Sequence, residues 1–216
     1  MLWSVILLSL QVSGLALLFA AFIGVPFGAW LALTRFRGRS LVLAVLYTCM
    51  GLPPVVVGLM VYLLLSQTGP FAQLQWLFTT NAMVMAQTAI STPIVAGTVM
   101  AAVSGVEPDL RRQLLSLGAT PLRAMWDVIF EARFGVLLAL VAGFGRNISE
   151  VGAVMLVGGN IEGFTRVLTT AIVLETRQGK FDLAVSLGLV LLGVSFLVNG
   201  LLLVLQTRTN GVWRAV

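Results

Sequence analysis

The chain has 216 residues, 59% of them hydrophobic and only 10% charged, with a net charge of +5 and a mean hydropathy of +1.03. Because soluble domains carry about a quarter charged residues, this composition excludes an ordinary water-soluble globule and predicts a membrane protein. With no histidine and one cysteine, Cys49, a disulfide framework, a Cys/His metal site and Ser-His or Cys-His catalysis are excluded within one chain. The basic residues lie between apolar runs, so no nucleic-acid partner is expected.

Five apolar segments are long enough to cross the hydrocarbon core of a bilayer, which takes about 20 residues. They cover approximately residues 5–33, 41–65, 76–103, 134–157 and 183–206. The first is expected to be a retained span, because no basic residue precedes Arg35 and the run is too long for a signal peptide. Adjacent prolines at Pro53 and Pro54 interrupt the second. The predicted fold is all-α, an integral membrane helical bundle of about five transmembrane helices forming one domain over residues 1–216.

The distribution of lysine and arginine predicts the orientation of the chain. The turn at residues 35–39, the hydrophilic loop at about 105–133 and the C-terminal tail together hold nine of the thirteen basic residues. The opposite side holds three, and Arg146 lies within a span. The positive-inside rule therefore places the N-terminus outside and the C-terminus in the cytoplasm of a multi-pass protein of the plasma or inner membrane.

The loop at about 105–133 has the pattern of two short amphipathic helices. Acidic residues and Pro108 favour a helix start near Asp109, and Gly118 is suited to end that helix in a left-handed conformation. Thr120 and Pro121 are typical of the start of a second helix. The expected apolar faces consist of Leu110, Leu114, Leu115 and Leu117 on the first helix, and Leu122, Met125, Trp126 and Ile129 on the second. These faces favour a docking surface over a solvated linker.

The run from Asp109 to Pro121 resembles the EAA loop of ABC importer permeases, with Arg112-Gln113-Leu114 in place of the usual Glu-Ala-Ala. The resemblance implies a cytoplasmic loop that seats on an ATP-binding subunit and couples it to the membrane helices. The residues to which this role carries over are Asp109, Arg111, Arg112, Leu115, Gly118, Ala119, Thr120 and Pro121.

A second resemblance lies at residues 143–161, which contain Arg146, Glu150 and a Gly-Asn-Ile run, and which are similar to molybdate- and tungstate-type permeases. Residues 131–135 and 163–176 look most like the tungstate branch. The family implies a homodimer, two ATP-binding subunits and an extracytoplasmic substrate-binding protein. ATP and Mg are expected on the partner ATPase, and no cofactor is expected in this chain.

Polar residues inside the predicted spans are candidates for the translocation pathway, since intramembrane ionisable groups face water or the bundle interior. They are Arg146, Asn147, Ser149 and Glu150 in the fourth segment, and Thr88, Ser91 and Thr92 in the third. Arg146 and Glu150, four residues apart, either serve the pathway or form a structural ion pair. The hydroxyl and amide side chains either bind a passing oxyanion or hold helices together.

The sequence has no phosphate-binding loop, because its one lysine, Lys180, does not belong to a GxxxxGK[ST] pattern. ATP hydrolysis is therefore expected from a partner, and the chain is not expected to be an enzyme. The predicted function is import of a tetrahedral oxyanion, tungstate first, with molybdate or sulfate as alternatives. An ion-coupled carrier or channel without an ATPase and a membrane scaffold are the competing classes.

Overall fold

The computed structural model describes residues 2–106 and 108–210. Glu107 and Arg214 lie outside the described residues, and the side chains of Asp109 and Arg208 are not described. The described chain is all-α. Its helices are α1 (Leu2–Leu33), α2 (Arg39–Met50), α3 (Pro54–Leu65), α4 (Thr80–Ser104), α5 (Pro108–Ser116), α6 (Pro121–Glu131), α7 (Arg133–Ile148), α8 (Gly152–Gly158), α9 (Leu168–Arg177) and α10 (Phe181–Asn210), with a 3₁₀ turn at Ala72–Leu74.

Three helices are individually long and apolar enough to span a membrane: α1, α4 and the Phe181–Gly200 part of α10. Two bent pairs raise the number of spans to as many as five, α2 with α3 at 99° and α6 with α7 at 74°. The helical membrane bundle that the sequence predicts is thus confirmed, and up to two of its spans are broken. Proline causes the first break, because Pro53 is extended (φ −60°, ψ 125°) and Pro54 occupies the first turn of α3.

The fourth apolar segment differs from the expectation of one span over residues 134–157. It divides into α7 and the short helix α8, with residues 149–151 between them outside any helix. The carboxylate of Glu150 explains the division, since it accepts a hydrogen bond from the backbone N–H of Ala153 at 3.0 Å and so starts a new helix.

The centre of the bundle is the contact of α1 with α4, and α7 packs against both of these helices. Gly28 permits this close approach, because a Cβ at that position would collide with the backbone of Ala96. A cluster of small and β-branched side chains fills the contact, including Ala20, Val95 and Val99. Small residues let membrane helices approach closely enough for van der Waals packing, which holds such bundles together where the hydrophobic effect does not.

Candidate functional site

The α5–α6 pair forms a bent arm whose corner is fixed by backbone geometry. Gly118 has φ +89°, the left-handed value that favours glycine. The N–H groups of Gly118 and Ala119 donate to the carbonyls of Leu115 and Leu114 at 3.1 and 3.0 Å, which satisfies the last carbonyls of α5. Thr120 then caps α6 by accepting from the N–H of Arg123 at 3.3 Å. The two helices meeting at a glycine are as the sequence predicts.

The bundle covers part of the apolar face of each helix in the arm. The inner residues of both helices, Leu110, Leu114, Met125 and Ile129, pack against the core cluster that includes Val99. Of the others, Leu115 is half-buried and Leu117, Leu122 and Trp126 are exposed, with Leu117 84% exposed beside the corner. The protein itself therefore covers part of each apolar face, and a docking surface for a partner remains a prediction for the exposed part.

Around the corner, the residues carried over from the coupling-loop resemblance are mostly accessible. Arg112, Gly118, Thr120 and Pro121 are exposed, and Arg111, Leu115 and Ala119 are half-buried. The surface around the corner is therefore open, while the inner sides of both helices are packed on the bundle.

The pair formed by Arg146 and Glu150 is the ionic feature of the membrane part. Arg146 Nη1 lies 3.0 Å from Glu150 Oε2, with the Glu150 side chain 3% exposed and that of Arg146 31% exposed. Glu150 is anchored further, since its carboxylate accepts from Ala153 and its backbone carbonyl accepts from Thr169 Oγ1 at 2.8 Å. The carboxylate is thus built into the protein, while the guanidinium retains an open side.

This pair lies at the break between α2 and α3. A Cβ on Gly152 would meet Val55, in the first turn of α3, on one side and the Glu150 carboxylate on the other. Broken helices at membrane depth line cavities or are buried in protein, since their freed backbone groups need partners. The break and the ion pair therefore occupy one region of the bundle.

Asn147 and Ser91, two of the predicted pathway residues, are buried between helices. Asn147 is 1% exposed and receives a hydrogen bond on its backbone carbonyl from Gln87 Nε2 at 3.0 Å. Its own amide donates a long contact of 3.5 Å to the carbonyl of Ser13. Ser91 donates to the carbonyl of Gln87 at 2.8 Å. These residues form a polar seam that links α1, α4 and α7.

Thr88 and Thr92, in contrast, line an open cleft of about 1030 Å³ between α1, α2, α3 and α4. Both hydroxyls already donate to backbone carbonyls, Thr88 to Ala16 at 3.4 Å and Thr92 to Thr88 at 2.7 Å. The rest of the cleft wall is almost entirely apolar, with Asn81 as a further polar group. Ser149 lies elsewhere, exposed at the end of α7, where it bonds to the carbonyl of Gly145 at 2.8 Å.

The structure thus does not gather the seven predicted pathway residues into one site. Gln87, Ser13 and Asn81 were not among them, although Gln87 is one helical turn from Ser91 and follows the same polar pattern. Among the described residues, no three His, Cys, Asp or Glu side chains are close enough to hold a metal ion.

The arm, the broken helices and the apolar bundle together define a multi-pass membrane transport subunit. The chain belongs to the family of binding-protein-dependent transport system inner membrane components, whose profile matches residues 24–211. As a permease subunit of an ABC transporter it is a transport component and not itself catalytic.

Two curated relatives are similar over almost the whole chain. A probable anion ABC transporter permease protein of Haloferax volcanii is 41% identical, covering 96% of this chain and 92% of its own length. The tungstate uptake system permease protein TupB of Peptoclostridium acidaminophilum is 39% identical, covering 94% and 90%. The molybdenum transport system permease protein ModB of Escherichia coli is 29% identical, with 82% of each chain covered.

Solved structures support the fold. The chain matches an amino acid ABC transporter solved with histidines at a TM-score of 0.67 and 21% identity, covering 95% of this chain and 92% of that one. It matches a bacterial transporter that imports the acidic polysaccharide alginate at a TM-score of 0.72 and 22% identity, covering 95% and 78%. At these identities the likeness concerns the fold alone.

Proposed function

We propose that this chain is the membrane-spanning permease of an ATP-driven importer for a tetrahedral oxyanion, with tungstate as the substrate and molybdate or sulfate as the alternatives. The observation that carries the proposal is the similarity, at 39–41% identity over nearly the full length, to permeases named for anion and tungstate transport. All of residues 1–216 act as one permease domain in this proposal.

The proposed complex is a homodimer with two ATP-binding subunits and an extracytoplasmic substrate-binding protein. Up to five spans per chain enclose little space, so a path between two copies is the simplest way to build a conduit. The arm at about 105–133 faces the cytoplasm in this arrangement, with the N-terminus outside. The nine basic residues on the arm side support that orientation.

Coupling is proposed to act through the corner at Gly118. The tip of the arm seats on the ATPase, and closure of the ATPase dimer moves α5 and α6 as a unit. Because Leu110, Leu114, Met125 and Ile129 pack on the cluster shared by α1, α4 and α7, that motion reaches the membrane helices directly. ATP and Mg belong to the partner.

Along the pathway, the open side of Arg146 supplies hydrogen-bond donors to the passing anion at the α2–α3 break. Glu150 neutralises most of its charge, which keeps the anion from being held too tightly to leave, as conduction requires. Thr88 and Thr92 are proposed to line the same path where the cleft opens. Ser91 and Asn147 are proposed to serve helix packing, whereas Ser149, exposed at the end of α7, remains a candidate for the pathway.

Uptake of radiolabelled tungstate into proteoliposomes tests this function. The chain with its ATPase and binding protein should accumulate tungstate only with ATP and only with both partners. Uptake by the chain alone would instead assign it to the carriers or channels. If the chain neither associates with an ATPase nor transports tungstate alone, it would be neither an importer subunit nor a carrier or channel.

A further inference from the structure

Helix α6 has an exposed apolar stripe for which the fold provides no cover. Leu122, Trp126 and Phe130 are spaced four residues apart and are 63%, 48% and 70% exposed. At about 100° per residue, these three side chains share one sector of the helix. Ala124 and Val128 on the opposite side are buried in the core, and Arg123, Asp127 and Glu131 form a separate polar sector.

Helix α6 therefore has three sectors: one buried in the protein, one apolar and exposed, and one polar. A helix surrounded by water would need only the buried and the polar sectors. A helix that only packs on its own protein and faces solvent has one apolar and one polar sector. Here the apolar sector extends well beyond what the protein covers and then gives way to the polar sector. Helices that lie in the plane of a membrane surface have this arrangement, with aromatic residues on the apolar side and charged residues on the other.

The angle between α6 and α7 allows α6 to lie at that depth. α7 packs along the spanning helix α4, and α6 meets α7 at 74°. The 11 residues of α6 make a helix about 16 Å long, which at this angle shifts by only about 5 Å along the direction of α7. The headgroup layer on each side of a bilayer is about 5–7 Å thick. The whole of α6 therefore stays within that layer if α7 begins at its edge.

The aromatic residues at the α6–α7 bend also have the chemistry of this layer. Arg133 lies over the rings of Phe130 and Phe134, at 5.1 and 4.9 Å from their centroids. Beyond the bend, Leu138 on α7 is also exposed and continues this apolar surface. Tryptophan and arginine are typical anchors at membrane interfaces, where one end of the side chain is apolar and the other is wet.

We propose that the stripe of Leu122, Trp126 and Phe130 lies in the phospholipid headgroup layer, so that α6 lies in the plane of the membrane surface. The corner at Gly118 then remains free to bind a protein partner. The arm then has two surfaces with different occupants, lipid along α6 and protein at the corner. The contact between the stripe and the bilayer does not depend on which substrate the chain transports.

Spin labels on single cysteines test the proposal in nanodiscs of phosphatidylcholine and phosphatidylglycerol. In a Cys49→Ala background, labels are placed by Trp126→Cys and Phe130→Cys on the stripe. Matched controls are Asp127→Cys in the polar sector and Leu117→Cys beside the corner. The measured quantity is the collision rate of each label with oxygen divided by its collision rate with a water-soluble nickel chelate. Oxygen concentrates in lipid, so a high ratio indicates lipid contact. The ratio is measured with and without the ATPase.

The proposal predicts a ratio above one at positions 126 and 130 and below one at 127 and 117, with the stripe values unchanged by the ATPase. A ratio below one on the stripe would show that it faces water. Loss of both collision rates on adding the ATPase would assign the stripe to that protein. Loss of both without the ATPase, with spin–spin broadening, would assign it to a second copy. Each of the last three outcomes overturns the proposal.

A second measurement avoids replacing the aromatic side chain by a label. The fluorescence of Trp126 is obtained as the difference between the wild-type chain and Trp126→Phe. Lipids brominated close to the headgroup should quench this difference signal more than lipids brominated near the ends of the acyl chains. No quenching by either lipid would overturn the proposal.

Discussion

Replacement of Gly118 by valine tests the coupling role of the arm with the least disturbance elsewhere. Nothing lies within 4 Å of a Cβ added at Gly118, so the substitution causes no collision. Its cost is the left-handed backbone at φ +89°, about 1–2 kcal/mol for a residue with a side chain. That cost lowers the population of the native corner by a factor of about 5–30 relative to its alternatives.

We expect Gly118→Val to assemble with the ATPase less tightly and to transport less substrate for each ATP hydrolysed. The assay is simultaneous measurement of oxyanion uptake and phosphate release in proteoliposomes. Gly118→Asn is the graded comparison, because asparagine tolerates the left-handed region and should retain most of the coupling.

Gly179→Val is the matched control. Gly179 has φ +75° and also has nothing within 4 Å of an added Cβ, so the backbone cost is the same at a site outside the arm. Equal uptake per ATP for wild type and Gly118→Val would refute the coupling role of this corner. An equal loss in both valine variants would show that backbone strain in general, and not the corner, is responsible.

Three further predictions concern the membrane part. Arg146→Lys should keep the complex assembled because a positive charge still faces Glu150, but it should lower the maximal uptake rate. The control Arg123→Lys, in an exposed ion pair, should leave uptake unchanged. Normal uptake with Arg146→Lys would show that the Arg146–Glu150 pair serves helix packing. Asn147→Leu should lower the free energy of unfolding by about 1 kcal/mol, because it removes an interhelical hydrogen bond. The measurement is the midpoint of thermal denaturation in detergent, which should fall. A midpoint equal to that of wild type would show that the polar seam does not stabilise the bundle. Gly28→Ala should lower the free energy of unfolding by about 1–3 kcal/mol, and with it the midpoint, because the added methyl meets the backbone of Ala96. Gly14→Ala, in open space on the same helix, should leave the midpoint unchanged.

The spans and the arm could be predicted from sequence because each depends on a local pattern. Apolar length determines a span wherever it lies, and the prolines at Pro53 and Pro54 break a helix in any surroundings. The corner was predictable for the same reason, since Gly118 followed by Thr120 and Pro121 ends one helix and starts the next through backbone groups alone.

The features that were not predictable depend on contacts between distant residues. The break after α7 follows from the carboxylate of Glu150 capping α8, and nothing in the apolar run marks it. Which part of the arm's apolar faces is covered depends on where α6 lies against α1 and α7. A polar residue within a span gives the same local sequence pattern whether it faces a pathway, as proposed for Thr88, or a neighbouring helix, as Asn147 does.

The most direct test of the central claim is ATP hydrolysis by the chain reconstituted with its ATPase and its binding protein, with tungstate, molybdate and sulfate titrated separately. We expect an oxyanion to stimulate hydrolysis, with tungstate half-maximal at the lowest concentration, and we expect the stimulation to require both this chain and the binding protein. Hydrolysis that is the same with and without every oxyanion, in a complex shown to be assembled, would contradict it.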